Sequence, residues 1–420
     1  MKALVKKESF FLKKFIQRLN HEMIPLEIID TNGHKYSTAQ QNIKHKLFIK
    51  DRKFFKALIS PDAFSFGEAY VKGYFDISGS IKELYELVCD KLLNTHQRKN
   101  IFIFFSNFLI PQRSLVTYRS HVKAKKKEKE NIEYHYNVPS DFYRLFLGET
   151  MGYTCGYYVS ENATMDNAQI EKMDIICRKL RLKNGEKLLD IGCGWGKFAV
   201  FAAKHYNVSV TGITLSLEQK NYAEKWIKIK GLSHKINIKL LNYRDLGTEI
   251  FDKISCVGMS DHVGKANMLN FFKIVHKRLR KGGLFMQHTI TTNTRRKKGY
   301  ENLFLDKYMF PGGELMFEHD LVNLASSSGF ELLNAENFRT HYVKTLNDWI
   351  GRMEKRKDKL LKIVSDNVYR IYHVFFIGSL ISFKTKEISL FQNLFYKTDT
   401  DNSSTDTFLS PYSKNETRIA

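Results

Sequence analysis

The sequence predicts an α/β protein, in which a Rossmann-like wound parallel sheet follows a smaller N-terminal α+β accessory domain. Three observations predict it. Between about 165 and 340, stretches of helical periodicity alternate with short apolar runs. One of these runs leads straight into a glycine-rich turn, Gly192-Cys193-Gly194-Trp195-Gly196. The composition also breaks at a basic segment holding Lys123 and Lys125–Lys127, as solvated linkers do. The expected division is 1–120 for the accessory domain, 121–131 for the linker and 132–399 for the larger domain. A polar Ser/Thr/Asn-rich tail over 400–420 is expected to be disordered.

In chain order, residues 4–23 read as an amphipathic helix. Phe11, Leu12, Phe15, Ile16 and Leu19 repeat at helical spacing, with Lys6, Lys7, Lys13, Lys14 and Arg18 on other faces. Such a helix either docks on its own domain or lies on anionic lipid, where each basic residue contributes about 1 kcal/mol. Two strand-like pieces follow, Leu26–Asp30 and Lys46–Lys50, with an Asn32-Gly33 turn between them and helical material over 81–93. In the larger domain a helix over 169–182 precedes the strand Lys187–Gly192, and a helix over 197–205 follows its turn. Then come the strand 208–214, the helix 217–230, the strands 236–241 and 251–258, the helix 265–279 and the strand 282–290.

Charge narrows the partners. Lys and Arg number 67 against 44 Asp and Glu, a formal +23, which implies a polyanion, either nucleic acid or an anionic membrane. Charge alone does not choose between the two, but the chain near His288 shows no motif for nucleic-acid methylation, so a lipid surface is the expected partner and nucleic acid is not. The five cysteines, Cys89, Cys155, Cys177, Cys193 and Cys256, are odd in number and lack a CxxC pair, which fits a reducing cytoplasm. The basic start has no uninterrupted apolar core or cleavage site, so no secretory signal is expected. The longest apolar run, Ile101 to Ile110, falls short of the roughly 20 residues a spanning helix needs. The expected location is cytoplasmic, peripheral on the inner face of the membrane. A homodimer is left open.

The glycine turn carries the chemistry. Glycine lets the backbone bend tightly and a ligand lie against it. The GxGxG spacing differs from the GxGxxG of dinucleotide sites, whose helix N-terminus receives a pyrophosphate. With Asp190 just before the turn, it suits S-adenosylmethionine, which carries an amino-acid zwitterion in place of phosphates. The second strand lacks the acidic residue that usually holds ribose, leaving Thr214 and Gln219 for the polar contacts.

Beyond these residues, the chain from about Gly67 to Phe395 resembles the cyclopropane-fatty-acyl-phospholipid synthases and the related mycolic acid cyclopropane synthases. Tyr134-His135-Tyr136-Asn137 is similar to the family's YHYD segment, and Tyr153-Thr154-Cys155-Gly156-Tyr157 to its YSCAY segment. LLDIGCGWG, GITLSLEQ, YRDL and HTI follow in the family's order. GEAYVKGYFD at 67–76 resembles the accessory domain of the phospholipid enzymes, which the mycolate enzymes lack. The resemblance implies that Tyr153 and Thr154 cover the methionyl end of S-adenosylmethionine and that Gly192, Gly194 and Gly196 form its floor. Thr214 and Gln219 then hold the ribose, and Tyr243 and Arg244 flank the adenine. It also implies a bicarbonate bound by Cys155, Asp261, His288, the Ile290 backbone and Tyr342.

The implied reaction adds the methyl carbon of S-adenosylmethionine to the double bond of an unsaturated phospholipid acyl chain. The carbocation is then deprotonated by the bicarbonate and closes to a cyclopropane. An alkene is a weak nucleophile, so its π-face must be held in line with the sulfonium methyl. Water must be kept out, because it would capture the cation. Tyr136, Phe142, Tyr157 and Tyr342 are candidate aromatic faces, each contributing roughly 0.5–2 kcal/mol to cation stabilisation. Two positions depart from the family. Asp261 stands where it has glutamate, one methylene longer, and Ser379 stands where it has a cysteine in a late helix. The competing expectations are a methyl-branched or hydroxylated lipid product, methylation of a small-molecule amine, and a non-catalytic lipid-binding relative.

Overall fold

The computed structural model describes residues 2–39, 41–59, 63–94, 138–294, 300–310 and 313–398. The basic linker, the Tyr134–Asn137 segment and the C-terminal tail lie outside these residues. By compactness the chain falls into two units, each discontinuous in sequence. One takes Met1–Lys123, Arg296–Met309 and Val364–Ile381; the other takes Ala124–Arg295, Phe310–Ile363 and Ser382–Ala420.

The first unit carries a four-stranded sheet in the order β2-β1-β3-β4, from β1 (Leu26–Ile29), β2 (Lys35–Ser37), β3 (His45–Ile49) and β4 (Phe75–Ser78). Gly33, at φ +84, makes the β1–β2 turn that the Asn-Gly pair anticipates. Helix α1 (Lys2–His21) docks on this sheet, its Leu12, Ile16 and Leu19 buried with Leu26, Ile28, Leu47 and Phe54. Its apolar stripe is therefore consumed by the unit's own core, while Lys13 and Lys14 stay exposed. The late helix Asp366–Lys384 brings Arg370 into the same unit, where it donates to the Asp76 carboxylate at 2.6 Å and to Asp366 at 2.5 Å. A buried guanidinium requires such partners, since an unpaired charge there is prohibitively costly.

The second unit is a seven-stranded sheet in the order β10-β11-β9-β8-β5-β6-β7. Strands β5 (Lys187–Ile191), β6 (Ser209–Thr214), β7 (Ile236–Leu240), β8 (Phe251–Val257) and β9 (Leu279–Thr292) run parallel. Strand β11 (Ile388–Lys397) inserts antiparallel between β9 and β10 (Phe330–Asn337). This is the class I S-adenosylmethionine-dependent methyltransferase fold. The crossover helices match the sequence periodicity within a few residues: Met165–Lys179, Lys197–Tyr206, Leu217–Ile229 and Lys265–Arg278. Thr164 and Ser216 cap two of them, accepting the Asn167 and Gln219 N–H groups, each at 3.2 Å. Apolar clusters fill both faces of the sheet, Ile176, Leu188, Ala199 and Met286 on one and Ile254, Phe271, Phe272 and Phe285 on the other. Burying each large side chain contributes about 1.5–3 kcal/mol. Strands β10 and β11 are absent from the strand pattern read off the sequence. Among the described residues no helix is long and apolar enough to cross a membrane.

Candidate active site

A cavity opens at the carboxyl ends of β5, β6 and β8, where ligands bind in wound sheets. Its floor is the turn after β5. Gly192 sits at φ +78, and a Cβ there would lie 2.6 Å from the Met259 Cβ; at Gly196, φ +73, an added Cβ would lie 2.8 Å from the Ala223 methyl. Only glycine accepts both the positive φ and the crowding. The lining includes Tyr153, Thr154, Asp190, Gly192, Gly194, Thr214, Gln219 and Tyr243. Of the remaining expected cofactor residues, Gly196 begins the next helix. Arg244 lies off the wall, its guanidinium carbon 4.7 Å from the centre of the Tyr243 ring.

The polar geometry suits a zwitterion. Asp190 is buried and accepts the Ser255 hydroxyl through Oδ1 at 2.9 Å, while Oδ2 has no partner among the described residues. Burial raises the Asp190 carboxyl to about 7, against the opposing influences of Ser255 and Lys172. A ligand ammonium beside Oδ2 would supply the missing partner and favour the charged form. At the tip of β6 the Thr214 hydroxyl donates to Gln219 Oε1 at 2.8 Å and accepts the Ser216 N–H at 3.2 Å. The pair thus stands where a ribose carboxylate is missing. The residues present fit S-adenosylmethionine.

Several wall residues carry no motif signal. Lys172 is buried, and its Nζ donates to Thr154 Oγ1 and Gln169 Oε1, each at 2.6 Å. Gln169 Nε2 donates to the Thr154 carbonyl at 2.7 Å. Burial lowers Lys172 to about 8, with Cys155 and Asp190 opposing the shift. The helix Met165–Lys179 thereby clamps the Tyr153–Thr154 segment over the cavity. Aromatic rings support that segment: Tyr143 and Trp349 have centroids 5.6 and 5.5 Å from Tyr153. Helical spacing marks Gln169 and Lys172 only as helix residues, and an interior lysine has no sequence signature.

The residues expected around the anion lie close to this wall but do not line it. Phe338 joins three of them, Cys155, His288 and Tyr342. The Cys155 sulfur lies 3.2 Å from the Gly156 carbonyl oxygen and 3.7 Å from that of Phe338, the two acceptors for its single hydrogen, and the Phe338 ring stands edge-on to His288 at 5.8 Å. The Tyr342 N–H donates to the Phe338 carbonyl at 3.0 Å, and its ring packs on Phe383 with centroids 4.6 Å apart. The Tyr157 ring lies 5.2 Å from Phe338, whereas Phe142 is buried against Tyr143 and Phe146. Burial pushes the Cys155 thiol well above its ordinary range, so it stays protonated and serves as a donor rather than a nucleophile.

His288 lies on β9, and its backbone carbonyl accepts the N–H of Gly258, a cavity residue, at 2.8 Å. Its ring is buried, with Nδ1 3.2 Å from Gln392 Nε2 and Nε2 without a partner among the described residues. Asp261 sits in the short turn after β8 and accepts the Thr289 hydroxyl and, at 3.0 Å, the Ile290 N–H. Desolvation raises Asp261 to about 6, while Thr289 and Ile290 pull it down. Here the Ile290 amide, expected to face the anion, is engaged by the shorter carboxylate. Tyr136 lies outside the described residues, and Ser379 belongs to the other unit, on the helix Asp366–Lys384.

The comparisons agree with this architecture. A family described as mycolic acid cyclopropane synthetase matches residues 123–393. The chain belongs to this family. As a member it is an S-adenosylmethionine-dependent methyltransferase. Residues 11–99 match a separate domain of unknown function. A probable fatty acid methyltransferase of Pseudomonas putida is 36% identical over 378 residues, 89% of this chain and 92% of that protein. The cyclopropane-fatty-acyl-phospholipid synthase of Escherichia coli is 31% identical over 381 residues, 90% of this chain and 92% of its own. The solved cyclopropane synthase MmaA2 of Mycobacterium tuberculosis superposes with a TM-score of 0.62 at 30% identity, covering 64% of this chain and 98% of that one. Mycolic acid cyclopropane synthase CmaA1, solved in complex with SAH and CTAB, gives 0.61 at 30% identity, covering 64% and 98%.

Proposed function

We propose that this methyltransferase converts double bonds of unsaturated phospholipid acyl chains into cyclopropane rings. The observation that carries the reading is the juxtaposition of a zwitterion-ready cavity with a buried donor corner, both on one sheet, in a chain of this family. The full-length similarity to the Escherichia coli phospholipid enzyme supports phospholipid as the substrate class, since the match runs through the N-terminal unit as well. Bound S-adenosylmethionine supplies the methyl group. Asp190 would take its amino group, the backbone at Gly192 and Gly194 its methionyl chain, and Thr214 with Gln219 its ribose. Lys172 and Gln169 hold Thr154 in place and keep this wall preorganised.

Bound bicarbonate would supply a base beside the delivered methyl, with Cys155, His288 and Tyr342 around it and Asp261 and Ile290 at its edge. Buried side chains at this corner exclude the water that would otherwise capture a cation. The first unit offers exposed Lys13 and Lys14 to anionic phospholipid, an electrostatic attachment to the inner face of the membrane. The decisive experiment is expression in cells that lack any such enzyme, followed by mass spectrometry of their fatty acids. A gain of one methylene with loss of the double bond is expected. A methyl-branched or unchanged lipid profile overturns the reading.

A further inference from the structure

We propose that Lys179 and Gln392 fix the tautomer of His288, so that Nε2, without a partner among the described residues, carries the hydrogen and stands as a donor to a small oxyanion. The oxyanion half of this inference rests on the bicarbonate reading above; the tautomer half does not.

The argument follows from who can donate to whom. Lys179 projects from the end of the helix Met165–Lys179, and its side chain is fully buried. Its Nζ donates to Glu336 Oε2 at 2.7 Å and lies 3.0 Å from one heteroatom of the Gln392 amide. An ammonium has three hydrogens and no lone pair, so that heteroatom must be the amide oxygen. Burial lowers Lys179, and the Glu336 carboxylate 2.7 Å away opposes that by favouring the ammonium. The other end of the amide is then the NH2 group, which faces His288 Nδ1 at 3.2 Å. An NH2 group can only donate, so Nδ1 must accept and carries no hydrogen. An imidazolium, protonated at both nitrogens, would set N–H against N–H. The ring is therefore neutral with its single hydrogen on Nε2. Burial and the nearby Lys172 and Lys179 charges also push His288 well below its ordinary range.

Topology makes the pair possible. Gln392 on antiparallel β11 is directly opposite His288 on β9. Lys179 reaches the same amide from 213 residues earlier in the chain. Glu336 is on β10, beyond β11. The Phe338 ring closes the group, with Lys179 Nζ 5.4 Å from its centre. Neither Lys179 nor Gln392 lines the cofactor cavity or touches a reacting atom, so both are positioning residues.

The test is nitrogen-15 NMR of full-length protein labelled at histidine. In the wild type, His288 is expected to show a pyridine-like Nδ1 and a pyrrole-like Nε2 without any ligand. A pyrrole-like Nδ1 overturns the proposal. In Gln392→Glu, an acceptor-only carboxylate faces Nδ1, and the hydrogen is expected to move there. Lys179→Met frees the amide to rotate and should give a mixture of the two forms, whereas Lys179→Arg keeps the wild-type pattern. Retention of the wild-type tautomer in folded Gln392→Glu overturns the relay. Binding of SAH, expected within about twofold of wild type, reports that each variant is folded. Adding sodium bicarbonate should shift Nε2 in the wild type and not in Gln392→Glu. No shift in the wild type defeats the oxyanion half alone. Turnover of Gln392→Glu should fall roughly 10²-fold, the scale of a misplaced proton-handling group, with KM unchanged.

Discussion

The floor of the cavity at Gly192 is backbone of one continuous turn, whereas the corner at His288 is assembled from side chains over a hundred residues apart in sequence. The first needs chain flexibility at a few glycines and one buried carboxylate. The second needs a donor, an acceptor and a cation to meet across β9, β11 and the end of a helix. The difference teaches where each site is fragile. A backbone site fails by steric intrusion and loses its ligand. A side-chain relay fails by a misplaced hydrogen and loses rate while ligand affinity survives.

That contrast can be broken most forcefully at His288. His288→Ala is expected to lower kcat by roughly 10³-fold, within the range for removal of a group that orients proton transfer. Its SAH affinity, measured by calorimetry, should stay within about threefold of wild type, and a parallel loss of both would merge the two regions into one site. Gly192→Ala should do the reverse. The added methyl collides with Met259 at a positive φ, so affinity for SAH should weaken by roughly 10²-fold, about 2.7 kcal/mol. Unchanged affinity would show that the turn is not the floor of the cofactor site.

Acidity sharpens the comparison. Asp190 is raised to about 7 in the folded protein, so the native state holds that proton more tightly than the unfolded chain does. Ionising it costs native stability as pH rises from the ordinary carboxylate range through about 7. A ligand ammonium favours the ionised form, so S-adenosylmethionine affinity should rise with pH up to about 7 and then level, by at most about tenfold per pH unit. Asp190→Asn should bind weakly with a flat pH profile. A wild-type profile in that variant would remove Asp190 from the site. The smallest effect is expected at the surface of the first unit. Lys13→Glu with Lys14→Glu should weaken binding to anionic vesicles several-fold at low salt, and the wild-type interaction should itself fade as salt rises. Salt-insensitive binding would mean that apolar insertion dominates, despite the burial of Leu12, Ile16 and Leu19.

Much of the cofactor cavity was legible because its signals are local. An apolar strand, three glycines and a following helix occupy neighbouring positions, and the helical and strand periods mark where each element begins. The parallel half of the sheet was legible for the same reason. Strand β11 was not, since it follows a long helix and ends the described chain without a helix after it to complete the alternation. Gln169, Lys172, Lys179 and Gln392 were invisible as functional residues. Each is a polar residue within a regular element, and periodicity reports whether a side chain faces inward, not which partner it meets there.

By itself the sequence determined the α/β class, the glycine turn, Asp190 and the family, because each rests on neighbouring residues or ordered motifs. Only the tertiary structure decided that the late helix segment around Arg370 groups with the first unit and that Asp261 takes the Ile290 amide. It alone set Lys179, Gln392 and His288 in a line. The physical reason is that a hydrogen bond depends on distances of about 3 Å between particular atoms, and strand insertion brings those atoms together from positions that no spacing along the chain relates.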